Sequence, residues 1–587
     1  MSFFNKQTAT AWLLLSVICL SWIGNLPAQD DQKQKAEIKI AITNSSGKPV
    51  EKVTAFWFNK GKSKRLSQTD GHVIVGAAEG LVVVQSEGYQ YAGFVLHKKT
   101  TDELARASIV LRAPDEPGRM LKTLPVPISA EQRKEITSAV TELYWTQLKS
   151  NPKDVSNQMT CFELLGGLDP KGLIEFLDAN DMDLQFKSLG KQSVVKALGR
   201  IDPELAIEVA DSVADPMRRS GVLRNLLKSL PENSPYIEAV EGQIIETIKS
   251  ISQPAFRYAV WSGLAEYYIH SGRPELAQKI VDENLAEVKK LPAGGWAAYP
   301  KSCFAALVVE NDPELAMKMI EGCKGHERPR ALGRLAFHSC TTHPKRAIEL
   351  LGQIEQQERA LSGFENMIKV AHRMAGPQTE AALEVAASID EVNQKAWAWG
   401  MIAMKLADTD KENSQKALEN AIQTLVNKAA LGAKPNAYLS VSATMAGLLP
   451  IAEKTAPEKV EPMIWEAVWL SIPRSRWNLG GGSKNEKLQN VAAAISRYDR
   501  GLAHALVGSD DLSIGTDPSR SAVSQVVLNV EGVPEFMDRL NSGPRYSGVF
   551  HPCAKVALML AGSDEEFWNE VSLPSFLAWP TKTYEDH

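Results

Sequence analysis

Between residues 170 and 425, apolar side chains return at fixed offsets from a proline: two, three, six and seven positions on. After Pro203 they are Leu205, Ala206, Val209 and Ala210; after Pro274 they are Leu276, Ala277, Ile280 and Val281. Pro313 is followed by Leu315, Ala316, Met319 and Ile320, and Pro344 by Ala347, Leu350 and Leu351. Pro170 opens a shorter version with Leu173, Phe176 and Leu177. These offsets line one face of a helix with about 3.6 residues per turn. Proline suits the first helical position, where its missing N–H would have had no partner. Asp202 and Asp312 stand where a carboxylate caps the first turn, and Glu204 and Glu314 favour the positive end of the helix dipole.

Neighbouring starts lie 33 residues apart from Pro170 to Pro203, 39 from Pro274 to Pro313, 31 from Pro313 to Pro344 and 33 from Pro344 to Pro377. Each interval has room for a second helix. Phe256, Val260, Leu264, Tyr267 and Tyr268 form one such stripe, and Leu332, Leu335 and Ala336 another. One hairpin cannot bury two stripes alone, so neighbours must stack. The expectation is an α–α solenoid over 129–430 with Leu315 in its core, continuing as irregular helical repeats over 431–587.

Upstream the period is two. Ile38, Ile40 and Ile42 alternate with Glu37, Lys39 and Ala41, as in a half-buried strand. Further strands are expected at 53–58, 66–69, 72–75, 81–86, 92–96 and 108–111, separated by turn-forming residues at 44–49, 59–62, 70–71 and 87–88. Seven short strands suggest a small all-β sandwich over 36–112. Residues 113–128, with four prolines and a glycine between Pro114 and Pro127, read as a linker. Ser129, with Gln132 three residues on, then caps the first helix. Helical runs are expected at 438–452, 463–471, 487–498 and 501–506, with loops at 479–484 and 510–518.

Ser46-Gly47-Lys48-Pro49-Val50, Thr69-Asp70-Gly71 and Glu87-Gly88-Tyr89 resemble the turns of the carboxypeptidase regulatory-like domain, a transthyretin-like sandwich. That resemblance covers 36–112 and implies an accessory, non-catalytic module of secreted proteins, with no active-site residues to carry over. The alternating helices resemble bacterial tetratricopeptide- and HEAT-like repeats.

The first 28 residues read as a secretory signal. Lys6 precedes an apolar run at 11–23, and Leu26-Pro27-Ala28 stands before a cut. The run is short for a transmembrane helix, so no membrane span is expected after cleavage, and the mature chain is expected outside the cytoplasm, periplasmic or secreted. Retention of the run as an anchor is the alternative. The 587-residue chain carries 65 basic and 70 acidic residues, well mixed, which argues against nucleic acid as a partner.

Motifs for chemistry are few. No metalloprotease, phosphate-loop, nucleophile-elbow or dinucleotide fingerprint occurs, and no cofactor is called for. Ser193-Val194-Val195-Lys196 matches S-x-x-K but lies on a repeat helix without companion motifs. Cys323-x-x-His326 and Cys340-x-x-His343 have spacings that zinc would accept. Both cysteines also continue apolar stripes, so core thiols and a disulfide stand beside zinc as readings. Trp397 with Trp399, and Trp465 with Trp469, are candidates for a stacking or partner-binding surface, although Trp465, Val468, Trp469 and Ile472 share one helical face that favours burial. The expected function is a non-catalytic secreted or periplasmic scaffold binding a protein partner through its helical repeats. The alternative is a glycan-active enzyme, a polysaccharide lyase or hydrolase with an α/α toroid, for which no carboxylate pair is evident.

Overall fold

The computed structural model describes residues 38–59, 62–76, 79–96, 108–124, 129–150, 155–180, 182–292, 294–325, 327–354, 364–430, 435–472 and 483–507. The signal segment, His326, the loop at 510–518 and everything after Val507 lie outside the described residues.

Among the described residues, eight strands form two four-stranded sheets. They are β1 (Ile38–Asn44), β2 (Thr54–Asn59), β3 (Lys62–Arg65), β4 (Gln68–Thr69), β5 (His72–Val75), β6 (Gly80–Gln85), β7 (Ala92–Leu96) and β8 (Ser108–Leu111). One sheet runs β4-β5-β1-β8, the other β3-β2-β6-β7. β1 pairs antiparallel with β5 and parallel with β8. Ile38, Ile40 and Ile42 point between the sheets with Val73, Val75, Val82, Val84, Ile109 and Leu111, as their alternation requires. β3 was not among the expected strands; only its first residue, Lys62, falls in the turn expected at 59–62. Its Lys-Ser-Lys-Arg sequence has no apolar alternation because it is an edge strand, where charge discourages further pairing.

The helices begin with α1 (Ala130–Ser150), α2 (Val155–Leu168), α3 (Pro170–Ala179), α4 (Leu184–Ile201), α5 (Pro203–Asp211), α6 (Pro216–Ser229), α7 (Ile237–Ser250) and α8 (Pro254–His270). There follow α9 (Pro274–Lys290), α10 (Ala298–Val308), α11 (Pro313–Ile320), α12 (Glu327–Ser339), α13 (Pro344–Gly352), α14 (Phe364–Met374), α15 (Thr379–Ala387) and α16 (Val392–Leu406). The last among the described residues are α17 (Lys411–Ala430), α18 (Pro435–Gly447), α19 (Leu449–Thr455), α20 (Val460–Ser471), α21 (Ser483–Ser496) and α22 (Arg500–Val507).

Pro170, Pro203, Pro274, Pro313 and Pro344 each start a helix, and Pro216 and Pro254 do the same. Asp202 and Asp312 accept the Leu205 and Leu315 amides at 3.3 and 2.9 Å, closing the caps. Pro377 does not start a helix: α15 begins at Thr379. The residues three, six and seven positions after Pro203, Pro274, Pro313 and Pro344 are buried, whereas Phe176, six positions after Pro170, is only half-buried. The residue two positions on is not buried. Leu315, like Leu205 and Leu276, is only half-buried, because that offset lies at the edge of the apolar stripe.

The even-numbered helices from α2 to α18 pack neighbour to neighbour, whereas the odd-numbered ones pack chiefly against the even row. Glycines let the row close up. A Cβ on Gly166 of α2 would stand 2.7 Å from the Cβ of Ser193 on α4, and one on Gly263 of α8 would meet Arg224 of α6 at 2.5 Å. Gly199 faces Ser229, Gly333 faces Asn366, and Gly400 faces Leu448 in the same way. Closer spacing on one side bends an array toward that side, so the even row lines the inside of the curve.

The sandwich is docked on the latest described helices of this array, α20 and α22. The outer face of its second sheet, with Phe56, Phe58, Leu81 and Val83, joins the helical core. β6 is therefore buried on both faces, which is why its sequence is an unbroken apolar run. The described part of the linker expected over 113–128 forms, together with Arg112, a bonded strap. Arg112 and Arg119 both hold the buried Glu461 carboxylate, at 2.6 and 2.7 Å, and the Arg119 amide donates to it at 2.6 Å. The Gly118 amide donates to the Glu458 carbonyl, and the Leu124 amide to that of Arg497. Ser129, which caps α1 through Gln132, comes only five residues after Leu124. An extended chain covers at most about 18 Å in that distance. The helical array thus curls back toward its own start.

Candidate binding surface

From α6 to α14, aromatic and cationic side chains of the even row meet across successive helices. Trp296, in the turn before α10, is 78% exposed, and its ring lies 5.7 Å from that of Phe256 on α8. Tyr299 on α10 is 45% exposed and carries the Arg334 guanidinium of α12 over its ring at 4.6 Å. Arg334 also donates to the Ser302 hydroxyl at 2.7 Å. One step along, Arg373 of α14 lies 4.5 Å over Phe337 of α12. On the other side, Arg224 of α6 spreads across Gly263 of α8. Each of these contacts joins one row helix to the next, so the strip is continuous from α6 to α14.

Electrostatics follow from this packing. The Cys303 thiol, then burial, push the Tyr299 phenol up to about 12, against the pull of Arg334 and Arg224. Burial and the nearby Arg373, His270 and Arg334 push His338 down to about 3, so its imidazole is neutral. Burial and Lys405 hold His372 down at about 4. Burial raises the Cys303 and Cys323 thiols, and takes Cys340 up to about 11. These thiols and imidazoles stay neutral near pH 7, tuned away from nucleophilic or general-base work.

The candidates read from the sequence lie elsewhere. Cys323 and Cys340 are buried free thiols in the helical core. His343 is exposed at the start of α13, with Nε2 3.3 Å from the Glu310 carbonyl. It borders an open groove of about 860 Å³ between the starts of α11 and α13. Among the described residues no group of three or more His, Cys, Asp or Glu side chains is placed to hold a metal ion. Ser193 packs on Gly166 while Lys196 is exposed to solvent.

Trp397 and Trp399 are buried within α16 and offer no open platform. Trp469 does meet an aromatic partner, but within the chain: Phe56 at 5.4 Å and Tyr91 at 5.3 Å, both from the sandwich side. Trp465 packs on Gly93 of β7. This pair joins the two parts of the protein. One carboxyl of the helical part lies within the electrostatic reach of another. Burial, and then Glu419 of α17, raise Glu466 of α20 to about 7. Glu419 itself is tied to Lys459 at 3.2 Å.

Sequence reasoning passed over Trp296, Tyr299 and the three arginines. One signal was available. The segment Gly294-Gly295-Trp296-Ala297-Ala298-Tyr299-Pro300 places two large aromatics off the repeat stripe, just after a glycine pair.

No protein-family model matches this chain, and neither a curated protein nor a solved structure matches it. Among the described residues, no helix is long and apolar enough to cross a membrane.

Proposed function

We propose that the protein is a non-catalytic, extracytoplasmic scaffold that engages a protein partner through the inner, even-numbered row of its helices. The observation that carries this reading is the continuous strip from Arg224 to Arg373, with Trp296 and Tyr299 exposed in it. Exposed aromatic rings beside arginine are the side chains that anchor protein interfaces, and a curved row presents many of them to one ligand. The neutral imidazoles and high thiol pKa values of the strip support binding rather than proton transfer. On this reading residues 36–112 are a carboxypeptidase regulatory-like module, and the helices belong with tetratricopeptide- and HEAT-like repeats. The module then serves to hold the two ends of the array together.

The test is photo-crosslinking in the native host, with a photoreactive amino acid at Trp296 or, on the odd row, at the exposed Glu283. A discrete protein adduct from position 296 and none from 283 is expected. Adducts from both positions, or from neither, would remove the reading. Intact-mass measurement of the native protein checks the compartment, with a mature chain starting near Gln29 expected. Release of reducing ends or unsaturated products from a polysaccharide panel would instead favour a glycan-active enzyme.

A further inference from the structure

We infer that the strip takes an acidic, extended polypeptide segment, with carboxylates seated on Arg224, Arg334 and Arg373 and an apolar residue against Trp296. The inference rests on the reading of the even row as a protein-binding surface.

Three observations lead to it. First, none of these half-buried arginines has a carboxylate within ion-pair distance among the described residues, whereas several other partly covered cations do. Arg273 is paired with Glu241, Arg112 with Glu461, and Lys191 with Asp178. A half-buried guanidinium without an acid has given up hydration without gaining a charge partner, and a ligand carboxylate supplies one. Second, aromatic rings already hold two of the three in place. With one face of Arg334 on Tyr299 and of Arg373 on Phe337, rotamer freedom is spent before binding, and the N–H groups other than the one Arg334 gives to Ser302 stay available to a carboxylate. Third, the spacing suits a peptide. Neighbouring packed helices stand about 8–10 Å apart, and three residues of a polyproline-type segment advance about 9 Å while returning to the same side. The arginines stand on α6, α12 and α14, so acids about nine and about three residues apart meet them in turn, with the apolar residue at Trp296 between the first two.

Other anions fit less well. The strip has three arginines and one nearby acid, Glu266, within a chain of net charge −5, which is little positive charge for a phosphodiester polymer. Sugar hydroxyls need acceptors as well as donors, and the strip offers mainly N–H donors.

The probe is a fluorescein-labelled twelve-residue peptide with glutamate at every third position, proline between, and one central tryptophan. It is titrated into the full-length mature protein by fluorescence anisotropy. Saturable binding that weakens with salt is expected. Replacing the glutamates with glutamine should weaken it at least tenfold, as should the double substitution Arg334→Gln, Arg373→Gln. Arg224→Gln, which breaks no hydrogen bond within the described residues, is the second variant should the double substitution unfold the chain. Arg346→Gln, on the odd row and paired with Glu349, should leave binding unchanged. The inference is overturned if the glutamine peptide binds equally well, if the arginine variants bind normally, or if no peptide binds. Tighter binding of an oligogalacturonate or a single-stranded oligonucleotide would overturn it too. A protein adduct from position 296 without peptide binding would sink the acidic-segment inference alone, while no adduct would remove the underlying reading.

Discussion

Two glycine-to-alanine substitutions should act in opposite directions, and together they test how the helical row is packed. Gly242 sits in α7, exposed, with nothing within 4 Å of where a Cβ would be. Alanine there gains helix propensity alone, about 1 kcal/mol. Gly166 of α2 has the same propensity to gain, but its new Cβ would stand 2.7 Å from the Cβ and 2.8 Å from the carbonyl carbon of Ser193. Comfortable carbon–carbon contacts are about 3.5–4.0 Å, so α2 and α4 must separate by roughly 1 Å. The obstacle includes backbone, which no rotamer change removes. Overpacking of this kind costs about 1–3 kcal/mol, leaving a net loss of about 0–2 kcal/mol after the propensity gain. The two variants should therefore differ by about 1–3 kcal/mol. Urea unfolding followed by circular dichroism measures the global change. Because repeat arrays can unfold in segments, amide exchange in α2 and α7 gives the local one. If Gly166→Ala stabilised the protein as much as Gly242→Ala, the close approach of the row helices, and the curvature argued from it, would be refuted.

Leu350→Ala, at a fully buried offset, should cost about 2–5 kcal/mol, and the half-buried Leu315→Ala about 1–2 kcal/mol, by urea midpoint; equal losses would erase the distinction between the centre and edge of the stripe. Burial works to raise the Glu461 pKa, but hydrogen bonds from Arg119 and Arg112 outweigh it and hold the carboxyl below its ordinary value. Its contribution is present above about pH 4.5 and lost as pH falls through the lower folded value, so limited proteolysis should cut the 112–124 strap sooner below pH 4 than at pH 6. Glu466 titrates the other way. With its folded pKa raised to about 7, the folded state binds the extra proton, and stability falls as pH rises from about 4.5 to 7. Glu466→Gln should stabilise the protein at pH 8 by on the order of 1–3 kcal/mol, measured by urea midpoint, and leave it unchanged at pH 4.

What the chain itself determined was local. A proline, a capping aspartate and apolar residues three, six and seven positions on interact within about two helical turns, so α3, α5 and α11 could be placed from their own residues. The alternation of Ile38, Ile40 and Ile42 likewise set which face of β1 turned inward. Tertiary structure decided everything that joins distant parts. Phe56 and Trp469 are 413 positions apart, and only the docking of the sandwich showed that a tryptophan pair suited to a partner closes the chain on itself. Tyr299 and Arg334 belong to different hairpins, and no local periodicity records that their side chains stack. A stripe tells which face of a helix is buried. Which of the remaining faces lines the inside of a curve depends on how closely successive helices approach, and that is set by pairs such as Gly166 and Ser193 that meet only in the folded array.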